Sequence, residues 1–255
     1  MLVFVVNIMV FKTCEGLSID YFIERNNKSK EFIVFLHGLA GDYSEFHHQM
    51  LFFKKNYSII APSFLGHGKS SKPLKKEYYS PNFLATKIIE LLKKEKIINP
   101  IIIGFSLGGL IACKVAQKIK AKKIILINPA FGKKSITIFF KISSFLSFFA
   151  PKFILKFFVK SNNIYEYNGL LDEYAKMLIK TPKHVIKSII YHALKSNEKS
   201  FLKKKVFVIK SKNDEIVNDY LPLKNYEKFL VNGFHLVHVQ NHGRITELLN
   251  EILKN

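Results

Sequence analysis

A chain of 255 residues with 48% hydrophobic side chains can bury a sizeable core, which excludes a disordered segment. Lys and Arg number 40 against 19 Asp and Glu, and a formal net charge of +21 points towards nucleic acid or an anionic membrane surface. Arg25 and Arg244 are the only arginines, however. Bidentate base and phosphate recognition leans on arginine, so nucleic acid is disfavoured and lysine-filled solvated faces are the plainer account.

Taken in order, the opening MLVFVVNIMVF is apolar but lacks the positive start of a secretory signal and is too short to span a membrane. It reads equally as an added edge strand, a weak anchor, or an extension upstream of a start at Met9. Residues 11–24 predict two strands joined at Glu15-Gly16. A second apolar strand follows at 32–36, ending in HGLAGD, then a helix at about 46–53 and a short strand at 57–61. The sequence PSFLGHGKSS is a loop by its Gly and Ser content. Helical spacing of Leu84, Ile88, Leu91 and Leu92 predicts a helix over 81–96.

Residues 100–103, Pro-Ile-Ile-Ile, are wholly apolar, as a central parallel strand covered on both faces should be. They run into Gly104-Phe105-Ser106-Leu107-Gly108 and then an apolar helix to about residue 119. The Gly-x-Ser-x-Gly pattern, flanked this way, matches a nucleophile elbow. Another apolar strand covers 123–127. Two cysteines, Cys14 and Cys113, lie far apart without metal-ligand spacing, and Cys113 falls in the apolar helix. Nothing suggests a disulfide framework, which fits a reducing compartment and a cytoplasmic location, with peripheral membrane association as an addition.

The strand–helix alternation then pauses. From 138 to 160 the chain reads IFFKISSFLSFFAPKFILKFFVK, with Ile142, Phe145, Leu146 and Phe149 at helical spacing and Lys152, Lys156 and Lys160 forming a stripe. Lysines every few residues argue against a transmembrane span, so two greasy amphipathic helices are expected. Further helices are expected near 169–179 and 182–195, strands at 206–210 and 228–231, and a last helix from about 244 to 253. The whole implies an α/β architecture: a mostly parallel central sheet with a helical insertion.

A serine hydroxyl is a weak nucleophile unless a base takes its proton and a third group orients that base. Downstream of Ser106, Asp214 sits just past one strand in KNDEIV and His235 just past the next in GFHLVH, the chain order expected for this elbow. His238 is the rival base, and Glu215 and Asp219 the rival acids. No histidine pair has a carboxylate or cysteine partner at ligand spacing, so no metal site is expected.

These five stretches in order, HGLAGD, GHGKS, GFSLGG, KNDEIV and GFHLVH, resemble the α/β-hydrolase superfamily, the capped, esterase- and lipase-like serine hydrolases. The resemblance covers nearly the whole core and implies the α/β-hydrolase fold, with 11–130 and 196–255 as core. It implies 131–195 as a helical cap, the last helix (182–195) being assignable to either part. By the same resemblance Ser106 is the nucleophile, Asp214 the orienting acid and His235 the general base, with the N–H groups of Leu39 and Leu107 as the oxyanion hole. It implies no cofactor. The implied activity is cleavage of a carboxylic ester with an apolar acyl chain; thioesters, C–C bonds and a non-catalytic binding role are the alternatives. A cap with a lysine stripe adds transient contact with an anionic membrane surface. Members that open epoxides carry Asp at the nucleophile position, where this chain has Ser106. The chain departs from the family pattern at Ser63 (usually Asp), Ser211 (often Gly), Phe234 (Gly or Ala) and His242 (commonly Pro).

Overall fold

The computed structural model describes residues 7–137, 180–196 and 202–255. The two Phe-rich helices expected within 138–160 and the helix near 169–179 lie outside the described residues. Eight strands form one sheet: β1 (Ile8–Lys12), β2 (Ser18–Glu24), β3 (Phe32–Leu36), β4 (Ser58–Pro62), β5 (Ile101–Phe105), β6 (Lys123–Ile127), β7 (Val206–Ser211) and β8 (Tyr226–Val231). Their spatial order is β1-β2-β4-β3-β5-β6-β7-β8. The first hairpin and the β2–β4 pair are antiparallel, and every other neighbour pair is parallel. The hairpin starts earlier than periodicity predicted. Ile8 to Phe11 pairs with β2, so this part of the apolar opening is an edge strand, with Met9 and Val10 exposed.

Parallel strands need crossovers, and the helices supply them on both faces. The described helices are α1 (His47–Phe53), α2 (Pro81–Lys94), α3 (Leu107–Lys118), α4 (Lys183–Lys195), α5 (Val237–Gln240) and α6 (His242–Lys254). Short 3-10 turns at Tyr43–Phe46 and Lys76–Tyr79, and α5, break no hydrophobic period and were not expected. The central strands alternate between two cores. Val34, Leu36, Ile102, Ile124 and Leu126 pack under α2, α3 and α4, while Ile33, Phe35, Ile103, Ile125 and Ile127 pack under α1 and α6. Burial on both faces is why these strands read as unbroken apolar runs. Val185 and Ile189 of α4 sit in the first of these cores, beside sheet residues. Among the described residues no helix is long and apolar enough to cross a membrane.

Candidate active site

The C-terminal ends of the parallel strands carry the site, as an α/β sheet favours. At the end of β5, Ser106 adopts φ 50° and ψ −114°, a conformation that costs a non-glycine residue energy and is held by its surroundings. Its N–H donates to the Ile127 carbonyl at 3.0 Å, and its own carbonyl accepts the N–H of Ala130 at 3.0 Å and of Gly109 at 3.0 Å. So tight a turn needs small neighbours. A Cβ on Gly108 would overlap the carbonyl oxygen of Leu36, and one on Gly104 would overlap that of Gly108. The turn leaves Ser106 buried, at 8% exposure, facing His235.

His235 Nε2 lies 3.0 Å from Ser106 Oγ, and His235 Nδ1 lies 2.9 and 3.0 Å from the two carboxylate oxygens of Asp214. A carboxylate only accepts, so Nδ1 carries the ring proton and Nε2 is left to accept from the serine hydroxyl. Burial by itself would raise the Asp214 pKa. Attraction to His235, its hydrogen bond, Lys210 and the Val217 N–H outweigh this and hold the carboxyl below its ordinary value. Asp214 Oδ1 also accepts the N–H groups of Ile216 and Val217 at 3.0 and 2.9 Å. Lys210, its own pKa lowered by burial, stands 3.6 Å from Oδ2 and donates to the Val217 and Asn218 carbonyls. Residues before the undescribed stretch brace the same loop through an Ile136–Val217 bridge.

The loop after β3 comes close to this centre: a Cβ on Gly38 would lie 3.5 Å from Ser106 Cβ. Among the described residues neither the Leu39 N–H nor the Leu107 N–H has a protein acceptor, Leu107 being the first residue of α3. His37 is not part of the hydrogen-bonded chain. It is buried and neutral, its pKa pushed down to about 4 by burial; Nδ1 donates to the Gly38 carbonyl and Nε2 accepts from the Phe64 N–H. The rivals are placed elsewhere. His238 is fully buried against the Phe46 and Phe105 rings, and Asp219 is exposed and faces Lys228. Glu215 neighbours His235 but does not take its Nδ1; burial pushes its carboxyl up to about 7.

Several supporting residues carry no motif. Asn128, at φ 42°, donates through Nδ2 to Ser211 Oγ and the His235 carbonyl at 2.8 Å each, and accepts the Ser211 N–H at 2.8 Å. It thereby ties the acid loop to the histidine loop, and Ser211, off-pattern for the family, is its partner. Only its place after a strand, in Asn128-Pro129, hinted at it. Ser63 is also compensated. The carboxylate of Asp20, reaching over from β2, accepts from Ser63 Oγ at 3.3 Å and the Lys69 N–H at 3.2 Å. His242 starts α6 and stacks on His48, ring centroids 4.0 Å apart. Cys14, Glu15 and Glu90 cluster at the hairpin turn, but Lys87 Nζ lies 2.6 Å from both carboxylates and already supplies the cation.

The sequence profile described as alpha/beta hydrolase fold matches residues 31–163, just over half of the chain. The chain belongs to the α/β-hydrolase family. A Mycoplasma genitalium protein whose name places it among esterase/lipases is 31% identical over 111 residues, 42% of this chain and 41% of that relative. The chain thus spans about two fifths of the length of the relative it matches there. A Mycoplasma pneumoniae protein named in the same way aligns over 92% of this chain and 91% of its own length, at 24% identity. Among solved structures, the enol-lactonase of Burkholderia xenovorans superposes with a TM-score of 0.84 over 97% of this chain and all of its own, at 16% identity. At that identity the likeness speaks for the fold alone. The eight-stranded, mostly parallel sheet with helices on both faces matches the fold of such neighbours.

Proposed function

We propose that this α/β-hydrolase is a serine esterase, and that Ser106, His235 and Asp214 form its catalytic triad. The observation that carries the reading is the unbroken chain from Ser106 Oγ through both ring nitrogens of His235 to Asp214, built on a strained elbow. Ser106 Oγ attacks the ester carbonyl as His235 Nε2 takes its proton. The Leu39 and Leu107 N–H groups receive the charge that develops on the carbonyl oxygen, an effect worth a few kcal/mol of barrier for each donor. His235 then protonates the leaving alcohol, and water, activated by the same base, releases the acid from the acyl-enzyme. Asp214 keeps the ring in the tautomer that this needs and stabilises the imidazolium.

The substrate side of the reading draws on sequence. On the sequence reading 131–195 would be the cap, with 182–195 assignable to the core instead, and the Phe-rich sequence within 138–160 would suit an apolar acyl chain and its lysines an anionic membrane surface. The names of the two Mycoplasma relatives agree with ester chemistry, and a serine in place of Asp at position 106 speaks against the epoxide opening that the names of other relatives give. Turnover of esters and thioesters of graded acyl length, together with labelling by a fluorophosphonate probe, tests this. Ser106→Ala should lose at least about 10³-fold in kcat and all labelling; labelling that persists in Ser106→Ala would sink the assignment.

A further inference from the structure

We propose that Glu45 is the positioning residue of the oxyanion loop, its buried carboxyl gripping the Gly38 N–H and thereby setting the direction of the Leu39 N–H; this rests on the esterase reading above. The argument begins at the peptide joining Gly38 to Leu39. A trans peptide is planar, so its carbonyl and its N–H point in opposite directions. The Gly38 carbonyl is held by His37 Nδ1 at 2.7 Å and by the Gly41 N–H at 3.3 Å, which turns the Leu39 N–H the other way. That arrangement keeps its direction only if Gly38 itself cannot rotate. Glu45 Oε2 supplies the remaining restraint, accepting the Gly38 N–H at 2.6 Å in a buried setting. Gly38 is also the residue packed on the nucleophile turn, where its Cβ would lie 2.8 Å from the Phe105 ring.

Glu45 is itself held on every side. It lies in the 3-10 turn Tyr43–Phe46, whose first N–H groups are capped by Asp42 accepting from Ser44 N at 2.9 Å and Ser44 Oγ at 2.6 Å. Phe46 anchors that turn in the core, 5.0 Å from the Phe35 ring. Gly41 is small because a Cβ there would stand 2.8 Å from Glu45 Oε1. Behind the carboxyl is His238, with its Nε2 4.0 Å from Oε2 and both side chains wholly inaccessible. Burial holds His238 neutral, its pKa pushed down to about 3, and its carbonyl accepts from Gln49 at 2.7 Å. The second histidine of GFHLVH therefore backs the residue that holds the oxyanion loop, and the two loops share one buried support.

The test is steady-state turnover of a short-chain p-nitrophenyl ester by the full chain and its variants. Glu45→Leu keeps bulk but loses the acceptor. It should lower kcat about 10- to 100-fold while KM moves less than about threefold, because an oxyanion donor acts on the transition state and not on the bound ester. Glu45→Gln, whose amide oxygen still accepts from Gly38, should recover most of that loss. Inhibition by a trifluoromethyl ketone, which places an oxyanion on Ser106, should weaken in step with kcat. Should Glu45→Leu fail to fold, Gly41→Ala reports on the same contact, since its methyl displaces the carboxyl, and kcat should fall over the same range. A kcat within about twofold of wild type in the folded variant, or a loss carried entirely by KM, overturns the proposal. If Ser106→Ala abolishes turnover while Glu45→Leu leaves it intact, only the role of Glu45 falls; turnover surviving in Ser106→Ala removes the esterase reading itself.

Discussion

Asn128 makes five hydrogen bonds through its side chain and backbone N–H at the junction of β6, β7 and the histidine loop, and it does so at a positive φ that asparagine tolerates better than most residues. Asn128→Ala would leave the Ser211 N–H and the His235 carbonyl without their buried partner and would place Ala in a left-handed conformation. About 2–3 kcal/mol of stability should be lost by urea unfolding, and kcat should fall about tenfold or more as the histidine loop loosens. An unchanged kcat in the folded variant would show that the acid loop and histidine loop hold their relation without it. Asp20 teaches the same lesson. Position 63 reads as a departure from the family pattern, yet a carboxylate reaches that loop from a strand more than forty positions away. Neither residue stands in a motif. Each matters because of what folding brings against it.

At the scale of elements, the tight turn at Ser106 is closed because α3 begins almost on top of β3. Gly108 is the point of nearest approach, with the Leu36 carbonyl where a side chain would start. Gly108→Ala should therefore cost about 3 kcal/mol or more, since backbone and not a flexible side chain has to give way. Gly243, in the first turn of α6, has open space where its Cβ would be. Gly243→Ala should be neutral or stabilise by up to about 1 kcal/mol. Unfolding midpoints in guanidinium chloride for the two variants would test this pair. Helical spacing announced α2, which buries one face, and an unbroken apolar run announced α3, whose residues from Leu107 to Cys113 are all buried, whereas the 3-10 turn that carries Glu45 spans a single turn and shows no period.

At the scale of the whole molecule, three buried histidines make the fold sensitive to acid. Burial, the largest cause for each, pushes His37 down to about 4 and His67 and His238 down to about 3. In the unfolded chain they titrate near 6.5, so below that pH the unfolded state binds protons that the folded state refuses. Their contribution is fully present above about pH 6.5 and falls as pH drops towards about 4, by about 1.4 kcal/mol per pH unit for each histidine; Glu215, raised to about 7 by burial, offsets one of them between about pH 7 and 4.5, so the net slope there is about 3 kcal/mol per unit. Asp214, held low in the folded protein, adds a further loss only as pH falls below the ordinary carboxylate range. Urea unfolding at pH 7, 6 and 5 measures the slope. A flat stability from pH 7 to 5 would mean that the buried rings are protonated without unfolding.

By itself, the sequence determined the layered architecture and where its strand ends fall. A parallel strand buried on both faces has to be apolar throughout, and the helices between such strands have to carry one apolar side, so both leave periods that can be read residue by residue. Ser106, Asp214 and His235 could be singled out for a related reason: each follows a strand, and a strand end is a local feature. Only the tertiary structure decided which side chains meet. Asn128 reaches Ser211 across 83 positions and Gln49 reaches the His238 carbonyl across 189, contacts made by neighbouring strands and loops that no local pattern encodes. Glu45 is near Gly38 in sequence, yet its grip depends on a turn held in place by the core beneath it. Periodicity records which way a residue faces. The choice of partner belongs to the packed fold.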